Sequence, residues 1–244
     1  MNDSQRRTVG PWTLDERLGR GGNAEVWRAT RSGSAMAVAL KLINTTKVER
    51  EPYQRFVREI EFLRSYQNVL GLLPLLDAYL PDQPDKADQP WLAMPIATPI
   101  AKALEGKSLA DVVAAVAAIA DTLARLQQDS GIAHRDIKPG NLYELDGEWL
   151  IGDFGLIAVP DARSLTQDGR QVGPAHYTAY EIILNPATAH PHPADVYSLG
   201  KALWVLATGQ AFPPEGHQPT GTRLRDRRLP HGVRSHRCDA STAW

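Results

Sequence analysis

The sequence predicts an α+β fold. Short apolar runs separated by Gly and Pro crowd its first part, and stretches with apolar residues three and four apart recur from Tyr53 onward. A third observation sets aside a membrane class. The most apolar window, residues 109–126, contains Asp111, Asp121 and Arg125 and reads as a buried amphipathic helix. With 244 residues, 43% hydrophobic and 23% charged, the chain is long enough for one large domain or two small lobes around a cleft. A net charge of −1 gives no reason to expect nucleic-acid or membrane partners. The single cysteine, Cys238, rules out an intramolecular disulfide framework or a Cys-pair metal site and suits a reducing cytoplasm. Residues 1–10 are polar with Arg6 and Arg7, unlike a signal peptide.

In chain order, residues 12–18 alternate in polarity and predict a short strand. Gly19-Arg20-Gly21-Gly22-Asn23-Ala24-Glu25-Val26 follows. Clustered glycines allow close backbone approach and exposed N–H groups that suit phosphate oxygens, though by itself the run describes a hairpin turn equally well. Residues 26–29 read as a returning strand, whereas a dinucleotide fingerprint needs a helix straight after its glycines. Residues 37–41 form a third apolar run ending in Lys41, which alone would be a solvated strand end. Phe56, Ile60 and Leu63 make a helical stripe over 53–66, with Pro52 in its first turn and Glu59 and Glu61 along it. Residues 70–79 and 91–96 predict two more strands around a polar loop at 81–86. A helix is expected to start at Ser108 and run to Gln128, with Val112, Val116, Ile119, Leu123 and Leu126 on a core face and Gly131 ending it. Residues 149–152 predict a strand delivering Asp153, residues 156–174 a long exposed segment, and residues 195–209 a buried helix.

The chemistry concentrates in residues 134–141, His-Arg-Asp-Ile-Lys-Pro-Gly-Asn, and in Asp153-Phe154-Gly155. One tight loop would bring together a carboxylate, Asp136, a cation two residues on, Lys138, and an amide five residues on, Asn141. Phosphoryl transfer needs such a set: a carboxylate for the attacking hydroxyl, a cation for the moving phosphate, and Asn and Asp oxygens for Mg²⁺.

These motifs, in this order, resemble the eukaryotic-type (Hanks-type) serine/threonine protein kinases in their bacterial form, over residues 12–209. The resemblance implies a bilobal fold with a small β-rich N-lobe at 12–95 and a larger helical C-lobe at 96–244. It implies a cytoplasmic enzyme that moves the γ-phosphate of ATP to Ser/Thr of protein substrates, with self-association for autophosphorylation. Gly19, Gly21, Gly22 and Val26 would lie over ATP, and residues 94–97, including Met94, would form the hinge. Lys41 would hold the α- and β-phosphates, tethered by Glu59 in preference to Glu61 from its "RFVREIEFL" context. Asp136 would be the base, Lys138 would offset γ-phosphate charge, and Asn141 and Asp153 would hold Mg²⁺ or Mn²⁺. Ser164, Thr166 and Thr178 become candidate phosphosites, with Arg135 set to pair with such a phosphate. Ala179-Tyr180-Glu181 stands where the family has Ala-Pro-Glu, and Asp195 would support the catalytic-loop backbone. Residues 211–244 carry many Pro, Arg and His but no helical stripe, so the C-lobe is expected to be incomplete. The Arg that pairs with Glu181 in the family would come from Arg223, Arg225, Arg227 or Arg228. The rival expectation is a catalytically idle kinase-like module that binds nucleotide or a partner protein.

Overall fold

The chain begins with hairpins because β-branched and aromatic residues alternate with polar ones between glycines. A computed structural model describes residues 7–157 except 32 and 35, together with 176–184 and 190–213. The strands β1 (Thr8–Val9), β2 (Trp12–Arg20), β3 (Ala24–Arg31) and β4 (Ala37–Ile43) form an antiparallel meander. Helix α1 (Glu51–Ser65) follows, then β5 (Asp77–Tyr79) and β6 (Trp91–Met94), which complete a six-stranded sheet in the order β1-β2-β3-β4-β6-β5. Trp12, Leu14, Val38, Leu40, Leu42 and Trp91 pack together on one face of this sheet. On the other face Ile43, Leu92 and Met94 meet Tyr53, Phe56 and Ile60 of α1.

The second part is helical around a small sheet. Strand β7 (Thr98–Pro99) leads into the short α2 (Ile100–Ala103) and the long α3 (Leu109–Ser130). Ser108 caps α3 reciprocally with Asp111, and Gly131 closes it in the left-handed conformation at φ 63°. Val112, Val116, Ile119 and Leu126 of the expected face are buried and Leu123 packs against them. Strands β8 (Leu142–Leu145) and β9 (Glu148–Ile151) pair with β7 in the order β7-β8-β9. Helices α4 (Tyr180–Leu184) and α5 (Pro191–Thr208) complete the described part.

Three expectations need correction. The strand expected at 70–79 exists only as β5, because the preceding residues give their hydrogen bonds to β9: Ile151 N–H reaches Gly71 O at 2.9 Å and Leu73 N–H reaches Ile151 O at 2.8 Å. The strand expected at 91–96 stops at Met94, where Pro95 supplies no N–H for a ladder. Helix α5 starts four residues before Asp195, because Pro191 and Pro193 suit a first turn, where N–H groups have no helical partner.

Candidate active site

Strand alternation sets the first residue of the site. Val38, Leu40 and Leu42 fill the sheet cluster, so Lys41 and Ile43 turn toward α1. Glu59 lies on the stripe that buries Phe56 and Ile60 and is itself only 2% exposed, whereas Glu61 is exposed. Lys41 Nζ donates to both oxygens of Glu59, at 2.7 and 2.9 Å, and to Asp153 Oδ1 at 3.1 Å. Burial alone would pull the Lys41 ammonium down, but Asp153 and Glu59 together lift it above its ordinary value. Burial pushes the Glu59 carboxyl up to about 7 against the opposing pull of Lys41. The Lys41 charge holds Asp153 below the usual carboxylate range.

The loop from His134 to Asn141 has a different support. Arg135 adopts φ 67°, a left-handed conformation that strains a non-Gly residue. The buried Asp195 carboxylate accepts the backbone N–H groups of His134 and Arg135 at 2.7 and 2.8 Å and so fixes that conformation. The His134 ring accepts the Asp136 N–H at Nδ1, 3.2 Å, which leaves Nε2 to donate to Gly152 O at 3.1 Å. Phe154, fully buried, stacks on Phe62 of α1 at 4.5 Å and meets the His134 ring edge-on at 4.9 Å. One aromatic column thus connects α1, this loop and the residue beside Asp153.

The oxygens of Asp136 are unequal. Lys138 Nζ and Asn141 Nδ2 both donate to Oδ2, at 2.8 and 2.9 Å, and Asn141 also donates to the Asp136 carbonyl. Oδ1 is buried with no hydrogen-bond partner. A cavity of about 430 Å³ opens here, and seven sequence-expected residues line it: Gly21, Gly22, Lys41, Glu59, Asp136, Lys138 and Asp153. Asn141 is buried behind Asp136. Gly19, Val26 and Met94 do not line this cavity: Gly19 and Val26 pair across β2 and β3, and Met94 pairs with Ala39.

The wall also holds residues that sequence reasoning passed over, among them Ile43, Arg55 and Leu156, and Phe56, which was expected only as a core residue of the helix. Ile43 shares Lys41's strand face, and Arg55 lies one helical turn before Glu59, so period counting would have found both. Arg55 pairs with Glu51, yet its Nε, like that of Arg135, is buried without a partner. Burial lowers the Arg58 and Arg135 guanidiniums, and Arg55 adds repulsion to both.

At Gly22 a Cβ would meet no protein atom within 4 Å, and φ is not left-handed. Neither packing nor backbone geometry explains glycine there. The room it leaves over the cavity suits a bulky anionic ligand. The oxygen chemistry suits Mg²⁺: Asn141 spends its Nδ2 on Asp136, which leaves its carbonyl oxygen as a donor atom, and the Asp153 side chain is 41% exposed. Among the described residues no cluster of three or more His, Cys, Asp or Glu could cage a metal by itself, and Mg²⁺ ordinarily needs only one or two side-chain oxygens beside water and phosphate.

Residues 12–234 match the model of the protein kinase domain family, which extends the similarity past Gly209. The serine/threonine-protein kinase AfsK of Streptomyces griseus is 30% identical over 221 residues, covering 88% of this chain and 26% of the relative. The DNA damage-responsive serine/threonine-protein kinase RqkA of Deinococcus radiodurans is 35% identical over 210 residues, 82% of this chain and 30% of the relative. The serine/threonine-protein kinase PknK of Mycobacterium tuberculosis is 31% identical over 209 residues, 80% and 17% of the two chains. The chain therefore spans less than a third of the length of these relatives.

Proposed function

This chain belongs to the protein kinase domain family, and from that premise we propose that it transfers the γ-phosphoryl group of ATP to serine or threonine hydroxyls of proteins, its own included. The observation that carries this reading is one cavity lined by Asp136, Lys138, Lys41, Glu59 and Asp153, with Asp136 Oδ2 tied by Lys138 and Asn141.

In the proposed mechanism Gly21 and Gly22 cover the phosphates, and Lys41, oriented by Glu59, neutralises the α- and β-phosphate oxygens. The hydroxyl proton passes to the Asp136 carboxylate as the hydroxyl oxygen attacks the γ-phosphorus. The bond to the β-phosphate oxygen breaks, and ADP leaves. Lys138 offsets charge on the moving phosphoryl group. Asn141 and Asp153 are the residues that would hold Mg²⁺, which supplies charge neutralisation of the phosphates when bound. Gly19, Val26 and the Met94 hinge are proposed to contact the nucleotide away from the described cavity. The proposed N-lobe spans 12–95 and the C-lobe 96–244.

The candidate phosphosites Ser164 and Thr166 lie outside the described residues, as do Arg223, Arg225, Arg227 and Arg228. Thr178 is described. A phosphate on one of the three hydroxyls is proposed to pair with Arg135. No helix among the described residues is long and apolar enough to cross a membrane. A cytoplasmic location and protein substrates belong to the same proposal.

Asp136→Asn tests it. The variant should bind ATP with Mg²⁺ as the parent does, measured by a fluorescent ATP analogue, and lose about 10²–10⁴-fold in transfer rate. Transfer at the parental rate would remove Asp136 from its role as base.

A further inference from the structure

Tyr143 has no part in the mechanism above, yet its side chain touches the neighbours of both proposed metal-holding residues. It lies on β8, two residues after Asn141. Its hydroxyl donates to Gly140 O at 3.0 Å, and Gly140 sits between Lys138 and Asn141 in a 3-10 turn. Its ring lies against Gly152, the residue before Asp153: a Cβ there would come 3.1 Å from Tyr143 Cε2 and 3.3 Å from Leu73 Cδ2. The backbone closes the same circuit, since Gly152 N–H donates to Asn141 O at 2.9 Å. Asp153 adopts φ 64°, left-handed and strained for an aspartate, so its placement depends on what holds Gly152.

Packing alone does not explain this residue. Tyr143 is half-buried against an apolar cluster that includes Leu73, Leu92 and Met94 and makes no use of its hydroxyl. A phenol adds a donor, and the carbonyl that receives it belongs to the turn presenting Asn141.

We infer that Tyr143 is a positioning residue that sets the spacing of the Asn141 and Asp153 oxygens and thereby the affinity for Mg²⁺ with nucleotide. The inference rests on the metal-holding roles proposed above. The hydroxyl holds the Gly140 side of the pair, and the ring, through Cδ2 and Cε2, holds the Gly152 side. Tyr143→Phe keeps the ring and removes the single hydrogen bond, which isolates the positioning role from packing.

The test compares the 244-residue protein with Tyr143→Phe by titrating a fluorescent ATP analogue with and without Mg²⁺, and by recording thermal unfolding. Loss of one such hydrogen bond should raise the half-saturating Mg²⁺ concentration about three- to tenfold. Metal-free nucleotide affinity and melting temperature should stay near parental values. Unchanged Mg²⁺ dependence overturns the inference, as does an equal loss of nucleotide affinity with and without the metal, which would make Tyr143 a packing residue. Failure of the parent itself to bind nucleotide would overturn the proposed function and this inference with it. A Mg²⁺-dependent parent with an unaffected variant would overturn only the inference.

Discussion

Lys41 shows how a single side chain acquires its chemistry from the strand and helix around it. Period-two alternation in β4 turns it away from the Trp12–Trp91 cluster, and the stripe of α1 places Glu59 opposite it. Removing either partner would leave a buried charge uncompensated, which is why such pairs are costly to break although they stabilise little when intact. The pair also links stability to pH. The folded Glu59 carboxyl titrates near 7, above its ordinary 4.5, so the folded protein holds that proton more tightly than the unfolded chain. The contribution of Glu59 is therefore full below its unfolded value and is lost as pH rises through about 7. Thermal unfolding across this window should show the melting temperature of the parent, relative to Glu59→Gln, falling as pH rises. A difference that is flat or grows with pH contradicts the assignment. Lys41 and Glu59 were readable as a strand-end lysine and a helix glutamate. The third partner, Asp153, was expected only as a metal-holding residue, because spacing along the chain does not reveal that a loop 112 positions away returns to Lys41.

The long helices were the most legible elements. The stripes of α1 and α3 and the stop at Gly131 could be read from periodicity and capping, since more than three helical turns repeat the signal. Strands β7 and β8 and helices α2 and α4 were not read, being two to five residues long with no period to count. The stretch before β5 misled for another reason. Its apolar run suggests a strand, but its hydrogen bonds go across to Ile151, and a left-handed glycine, Gly71 at φ 90°, lets the chain pass tightly over α3. A Cβ on Gly71 would come 2.2 Å from Thr122 Oγ1 and 2.7 Å from Thr122 Cγ2, and Thr122 is itself buried. Gly71→Ala should therefore destabilise the protein by about 2–4 kcal/mol, from the strained φ and the overpacking together. Urea unfolding within about 0.5 kcal/mol of the parent would show that the crossing yields without cost.

At the scale of the molecule, the site exists only where separate parts meet. The six-stranded sheet supplies Lys41 and the glycine turn, α1 supplies Glu59, the loop before β8 supplies Asp136, Lys138 and Asn141, and the end of β9 delivers Asp153. Two buried devices hold these pieces in register: the Phe62–Phe154–His134 column, and Asp195 of α5, whose carboxylate fixes the strained backbone at Arg135. Motif order in the sequence made the family and the α+β architecture legible. The unpartnered Asp136 Oδ1 and the brace at Tyr143 were not legible, because each depends on contacts between residues whose spacing follows no motif. The account depends most on whether this assembled site moves a phosphoryl group. Phosphate transfer from labelled ATP, with the folded 244-residue chain and Mg²⁺, measures this directly, with mass spectrometry locating the label. The expected result is label on serine or threonine that disappears on chelation of the metal. A folded sample that binds nucleotide yet places no label on itself or on a general protein substrate would contradict the account and indicate an idle kinase-like module.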